Sequence, residues 1–96
     1  MNELKLVSKA GHLLKPIVEA ALENELRLIE AGIRQTEQHL EKFEEKYQLN
    51  TRDFVTDYEN DQLEESMDFI EWIGEFRLLK RLIEKADTLR SISFAN

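Results

Sequence analysis

The amino-acid sequence predicts an all-α protein: an antiparallel helical hairpin with a short connector helix, which dimerises into a four-helix bundle. Two apolar stripes with heptad spacing predict its two long helices. One proline and three glycines among 96 residues leave few points at which a helix would break. A chain of this length forms one domain, which we divide into an arm over 1–12, a long helix over 13–47, a short helix over 51–60 and a second long helix over 62–91.

The first stripe runs from Leu22 to Tyr47, where residues recur at alternating steps of four and three. Such a stripe packs inside a hairpin. Its predicted members of the dimer or hairpin core are Leu22, Leu26, Ile29, Ile33, Leu40 and Phe43. Thr36 is the one polar position in the stripe, and its hydroxyl can either set the register of the hairpin or bond to its own helix backbone.

Local signals suggest where the helices begin. Pro16 belongs in the first turn of the first helix, because proline has no backbone N–H to donate. Asn50 or Thr51 is expected to cap the short helix. Ser66 is a suitable cap for the second long helix, although an earlier start near Asp61 also fits the sequence.

The second stripe repeats the same spacing between Phe69 and Ala86 and predicts an antiparallel mate for the first. Its predicted members of the dimer or hairpin core are Phe69, Trp72, Phe76, Leu79 and Ile83. Two helices cannot enclose all of this apolar surface, so we expect a second copy of the chain to cover the rest. The expected assembly is a homodimer.

The two ends of the chain carry weaker signals. Residues Glu3 to Ser8 alternate weakly, which fits either a short strand or a loosely held terminus. A strand would need a partner, and we expect either its twin in a dimer or another protein. The tail after Ser91 is expected to fray.

Charge is unevenly distributed along the chain. The net charge is -7, and residues 51–76 contain 9 acidic residues against the single base Arg52. This balance argues against broad binding to nucleic acid or to an anionic membrane. The bases of the second long helix complement its dipole and can pair with acids of the first, so we expect no nucleic-acid partner. These bases are Arg77, Lys80, Arg81, Lys85 and Arg90.

The sequence carries no signal for a redox site, an export signal or a membrane span. It has no cysteine, so disulfides and thiolate sites are excluded. Lys5, Lys9 and His12 interrupt the N-terminal region, where an export signal would need a continuous apolar run. We therefore expect a cytoplasmic protein that does not contact a membrane.

Catalytic and metal-binding patterns are also missing from the sequence. A Glu-x-x-His step, as in di-iron bundles, is not present at His39 or His12. Glu71 and Glu75 lie one helical turn apart and could share a cation, but such a pair is more typical of a solvated helix face. No cue joins a serine to a histidine, and no phosphate loop occurs. We expect no enzyme, no metal and no cofactor.

Two short motifs carry a family resemblance. Phe-x-x-Lys-Tyr begins at Phe43 and runs into the predicted short helix, and Asp-Phe-x-Glu-Trp begins at Asp68. Over roughly residues 20–90 the chain resembles a family of small acidic helical proteins of prokaryotes, many of which resemble the antitoxin halves of toxin–antitoxin pairs. The resemblance implies that the chain neutralises a cognate toxin by direct binding, without catalysis.

A partner-binding surface follows from the acidic segment and the aromatic residues within it. An acidic surface would attract a basic partner, and aromatic side chains would anchor it. The candidate partner-binding residues are Asp53, Asp57, Tyr58, Glu64, Glu65, Asp68, Glu71, Trp72 and Glu75. The alternative is a structural or adaptor coiled-coil homodimer that has no toxin partner.

Overall fold

A computed structural model of the chain describes residues 2–4 and 11–94. The element order is β1 (Asn2–Leu4), α1 (Gly11–Tyr47), α2 (Thr51–Glu59), α3 (Met67–Arg90) and β2 (Ile92–Phe94). Helices α1 and α3 pack along each other, and α2 connects them. The predicted all-α hairpin with a short connector helix is therefore confirmed, with a small strand pair added at its termini.

Contacts between the long helices show that they run in opposite directions. Lys46 near the end of α1 pairs with Asp68 at the start of α3, whereas Glu30 pairs with Arg90 at the end of α3. The molecule is an elongated rod of 59 × 22 × 17 Å.

Helix α1 is longer than its mate. It has 37 residues against 24 in α3. The two helices meet at the connector, so the excess lies at the start of α1 and extends about 20 Å past the end of α3 at 1.5 Å per residue.

Pro16 lies inside α1 rather than in its first turn. The helix begins at Gly11, which makes Pro16 its sixth residue. At this position proline lacks the N–H that would bond the backbone carbonyl of His12, and its ring crowds that carbonyl, so Pro16 weakens the start of α1. The predicted start at residue 13 was two residues late.

The short helix and α3 begin at side-chain caps. The Asn50 side chain accepts a hydrogen bond from the backbone N–H of Asp53 at 2.8 Å, and the Ser66 side chain accepts one from Phe69 at 3.1 Å. Helix α3 thus begins at Met67, five residues later than the predicted 62. The backbone explains this difference, because Ser66 has the extended conformation of an N-cap, whereas Asp61 takes a left-handed φ of 54°.

The centre of the core is an aromatic stack between α2 and α3. Phe54 and Trp72 have no exposed surface, and their rings lie parallel with centroids 3.9 Å apart. Phe43 stacks on the Trp72 ring with centroids 5.5 Å apart. The Trp72 indole N–H donates to Thr51 Oγ1 at 3.1 Å, which satisfies a buried polar group. All three helices therefore meet at Trp72.

The predicted core is buried to different degrees. Ile29, Leu40 and Trp72 are buried. The half-buried members are Leu22, Leu26, Ile33, Phe43, Phe69, Phe76 and Leu79. Ile83 is 41% exposed in the single chain, so it lies outside the hairpin core, and its place in a dimer core stays a prediction. A two-helix layer covers only one stripe of each helix, and Ile83 lies at the edge of that contact.

Thr36 resolves one alternative left open by the sequence. It is 3% exposed, and its hydroxyl donates to the carbonyl oxygen of Gly32 at 2.8 Å. The hydroxyl is therefore satisfied within its own helix. It makes no hydrogen bond to α3 that could set the register.

The chain termini form a strand pair with each other. Strand β1 pairs in parallel with β2, with Asn2 opposite Ile92 and Leu4 opposite Phe94. The partner of the N-terminal strand is therefore the same chain, and residues 92–94 form a strand instead of fraying. Residues 5–10, which include most of the predicted Glu3–Ser8 strand, lie outside the described part of the chain.

We predict that Gly32→Ala stabilises the protein. A methyl group there would lie 3.5 Å from Leu82 Cδ1, an ordinary contact distance. Alanine favours a helix interior by about 1 kcal/mol over glycine, which corresponds to a rise in Tm of about 4–8 °C. The converse change at the exposed neighbour, Ala31→Gly, should lower Tm by a similar amount. Thermal unfolding followed by circular dichroism checks both, and a lower Tm for Gly32→Ala would contradict the packing described.

We predict that Thr51→Val destabilises the protein by about 1–3 kcal/mol, because the buried Trp72 N–H would lose its acceptor. Valine keeps the shape of threonine, so the change isolates the hydrogen bond. Urea unfolding measures the loss. Thr56→Val is the matched control, because the Thr56 hydroxyl is exposed and bonds only to its own helix backbone. Equal effects at the two positions would remove the special role of the Trp72 bond.

Candidate partner-binding surface

The predicted partner-binding residues lie together at the connector end of the hairpin. We call residues 51–76 the acidic end; it comprises α2, the connector and the first half of α3. Of the predicted partner-binding residues, the exposed ones are Asp53, Glu64, Glu65 and Glu71. Those half-buried are Asp57, Tyr58, Asp68 and Glu75. The acidic segment of the sequence thus forms one end of the rod.

Trp72 is not part of this surface. Its side chain has no exposed area and is enclosed by Phe43, Phe54 and Phe69. It was expected both in the core and as a partner contact, and only the core position agrees with its burial. The heptad spacing gave the right signal, because Trp72 lies at the centre of the stripe that faces α1.

Asp68 clips the two long helices together. Its Oδ2 accepts a hydrogen bond from Lys46 Nζ at 2.5 Å and another from the Tyr47 hydroxyl. Hydrogen bonds from Lys46 and then Tyr47 lower the pKa of the Asp68 carboxyl below its usual value. The same bonds raise the pKa of Lys46 and of Tyr47. This carboxylate is occupied within the chain.

A second clip holds the connector against α2. The Tyr58 hydroxyl donates to Glu65 Oε1 at 2.7 Å, and this hydrogen bond raises the pKa of Tyr58. Tyr58 also lies against Phe54, with ring centroids 5.6 Å apart. Tyr58 and Glu65 therefore serve first to fix the shape of the acidic end.

A shallow groove of about 260 Å³ lies between α1 and α3 beside the acidic end. His39 Nδ1 lies 3.2 Å from Glu75 Oε1, while Glu75 Oε2 is buried and finds no hydrogen-bond partner among the described residues. Glu71 lines the same groove, but within residues 2–4 and 11–94 no group of three ligands suits a metal ion. The groove places acids and bases side by side.

Around the connector, four exposed or half-buried acids remain for a partner. Unlike Asp68 and Glu65, their side chains make no hydrogen bond or ion pair to the described residues. They are Asp57, Glu59, Asp61 and Glu64. These carboxylates surround the connector and give its surface a negative potential.

Two exposed apolar residues in this region were missed by sequence reasoning. Met67 is 80% exposed and Ile70 is 47% exposed at the start of α3. The signal for them in the sequence is their position in the helical repeat, because both lie on the face opposite the stripe that contains Phe69 and Trp72. Large apolar side chains on the solvent face of a helix are candidates for contact with another molecule.

The basic residues of α3 are partly paired within the hairpin. Lys85 pairs with Glu25 at 3.4 Å, and Arg90 pairs with Glu30 at 2.9 Å. Lys80 Nζ lies 5.8 Å from the centroid of the Phe76 ring. The two ion pairs match the expected pairing between the helices, whereas Lys80 contacts a residue of its own helix.

Comparison with known proteins gives no relative: no protein-family model, curated protein or solved structure matches the chain. Within the described residues, no helix is both long and apolar enough to cross a membrane.

We predict that Asp68→Asn lowers stability at neutral pH and changes its pH dependence. The native pKa of Asp68 is depressed, so its stabilisation is complete above the unfolded pKa of about 3.9 and is lost as pH falls through the lower native pKa. The difference in unfolding free energy between wild type and variant should therefore shrink below about pH 4. Urea unfolding between neutral pH and about pH 3 measures it.

Two further observations complete this test. Loss of the Asp68 carboxylate should move the pKa of Tyr47 down towards its ordinary value of about 10, as followed by tyrosinate absorbance. Glu71→Gln removes a nearby exposed carboxylate and should leave Tyr47 unchanged. A Tyr47 titration that is identical in wild type and Asp68→Asn would contradict the clip.

Proposed function

We propose that this chain is a non-catalytic protein-binding module, antitoxin-like, that neutralises a basic partner protein in the cytoplasm by direct contact. One observation carries the proposal: Met67 and Ile70 stand exposed within a segment that holds 9 acids and one base. Apolar anchors with a charged rim are the usual composition of a protein-binding surface.

The charges and the anchors contribute differently to such binding. The unpaired acids around the connector attract a basic partner and speed its encounter, an effect that salt screens. Met67 and Ile70 supply apolar area that a partner can bury. Methionine adapts its shape to the opposing surface because its side chain is unbranched and flexible.

The acidic end is preorganised, which supports this proposal. The Phe54–Trp72 stack and the Tyr58–Glu65 hydrogen bond hold α2 and the connector in place. A surface already fixed in its binding shape loses less conformational entropy when a partner docks.

We also propose self-association, as in the expected homodimer that forms a four-helix bundle. Apolar side chains are exposed away from the acidic end: Leu28 is 61% exposed, Leu78 37% and Ile83 41%. A second copy that covers them is the alternative function, a structural or adaptor homodimer with no toxin partner.

Co-expression with the product of the adjacent gene tests the main proposal. We predict that the neighbour is toxic alone, that this chain restores growth, and that the two proteins co-purify with an affinity that falls as salt rises. Met67→Asp together with Ile70→Asp should abolish capture, because burying new carboxylates is costly.

The matched control is Ile17→Asp, which places a carboxylate at an equally exposed apolar position near the start of α1. It should bind like wild type. A neighbour that is neither toxic nor captured would refute the antitoxin-like function. Equal loss of binding in the control Ile17→Asp and in the double variant Met67→Asp with Ile70→Asp would show that the acidic end is not the contact.

A further inference from the structure

Four exposed residues form a stripe on the outer face of α3. They are Glu71, Gly74, Leu78 and Arg81, and we call them the outer stripe. Successive steps of three, four and three keep them on one side of the helix over about 15 Å. The stripe faces away from the core formed by Phe69 and Trp72, and at its Glu71 end it borders the groove between α1 and α3.

The centre of the outer stripe pairs a protrusion with an open space. Leu78 is an aliphatic side chain that is 37% exposed. One helical turn before it, a methyl group added to Gly74 would find no atom within 4 Å. A leucine from another helix can therefore approach the backbone at Gly74 without a clash.

The ends of the outer stripe carry opposite charges. Glu71 lies towards the start of α3 and Arg81 towards its end. Neither forms an ion pair with any residue that the structure describes. Both charges are therefore available to another molecule.

We propose that the outer stripe binds the outer stripe of a second copy of this chain in antiparallel orientation. About the two-fold axis, Leu78 of each copy lies over Gly74 of the other, and Glu71 of each copy pairs with Arg81 of the other. This inference rests on the self-association proposed above and names the surface and register of its contact around Leu78; Leu28 and Ile83 lie outside this contact.

Charge complementarity selects the antiparallel orientation. In a parallel pair the same residues would face each other, so Glu71 would meet Glu71 and Arg81 would meet Arg81. Like charges directly opposite destabilise a contact. The antiparallel pair instead makes the favourable contact twice, as the isologous interface of a two-fold dimer requires.

The same argument selects the register. Two antiparallel helices can also pair with one helix shifted by one heptad in either direction. Glu71 would then lie opposite Gly74 or Thr88, both uncharged, and the packing of Leu78 over Gly74 would be lost. Only the proposed register satisfies the charges and the shape together.

A charge-exchange experiment tests the proposal. Wild type should sediment as a dimer at micromolar concentration, and Glu71→Arg or Arg81→Glu alone should each raise the dimer Kd about tenfold or more by placing like charges together twice. An equimolar mixture of the two variants should form a heterodimer, because every charged contact is then again between opposite charges. The double variant should likewise recover the wild-type Kd.

Matched controls use the same helix outside the outer stripe. Glu84→Arg and Lys80→Glu make the same charge changes at exposed positions and should leave the dimer Kd unchanged. Gly74→Gln provides an uncharged test, because it fills the open space and should weaken the dimer. Far-UV circular dichroism confirms that each variant is folded.

The outcomes separate this inference from the earlier proposals. A monomeric wild type would overturn self-association and the outer stripe together, while leaving partner binding unaffected. A wild-type dimer whose Kd ignores Glu71, Gly74 and Arg81 would overturn the outer stripe alone. Weakened single variants that fail to recombine would overturn the antiparallel register.

Discussion

The hairpin depends on the contact between Phe54 and Trp72. Two parallel rings with centroids 3.9 Å apart join the connector helix to α3, and Phe43 extends the stack to α1. Large aromatic side chains contribute much of the apolar area buried in small cores. The indole N–H would be costly to bury alone, and Thr51 provides its acceptor from the first residue of α2. This contact fixes all three helices at one end of a thin rod.

Apolar contact and polar clips act at the same end of the molecule. Asp68 joins α1 to α3 through Lys46 and Tyr47, and Tyr58 joins α2 to the connector through Glu65. Several acids of the acidic end are therefore structural, and the remaining ones form the rim of the surface proposed for a partner. The same negative charge thus has two physical roles, distinguished by whether a donor lies within reach.

Features set by neighbouring residues could be predicted from the sequence, whereas features set by distant contacts could not. The caps Asn50 and Ser66 were predicted because their partners lie three residues away. The exposure of Ile83 depends on how the two helices cross, and spacing alone does not specify this. The Asp68–Tyr47 bond and the pairing of β1 with β2 join residues far apart in the chain, and no local pattern encodes them. Met67 was missed because the spacing of the apolar stripe identifies only the buried face of α3, and Met67 lies on the opposite face.

The unequal lengths of α1 and α3 give the rod two ends with different resistance to opening. At the connector, three helices share an aromatic core, whereas the first turns of α1 extend past α3. An isolated helical segment shorter than about 12–15 residues is only marginally stable in water. Local opening free energies, and with them amide hydrogen-exchange protection, should therefore rise along α1 from Gly11 towards Tyr47. Such a gradient would let the start of α1 fluctuate while the acidic end kept its shape.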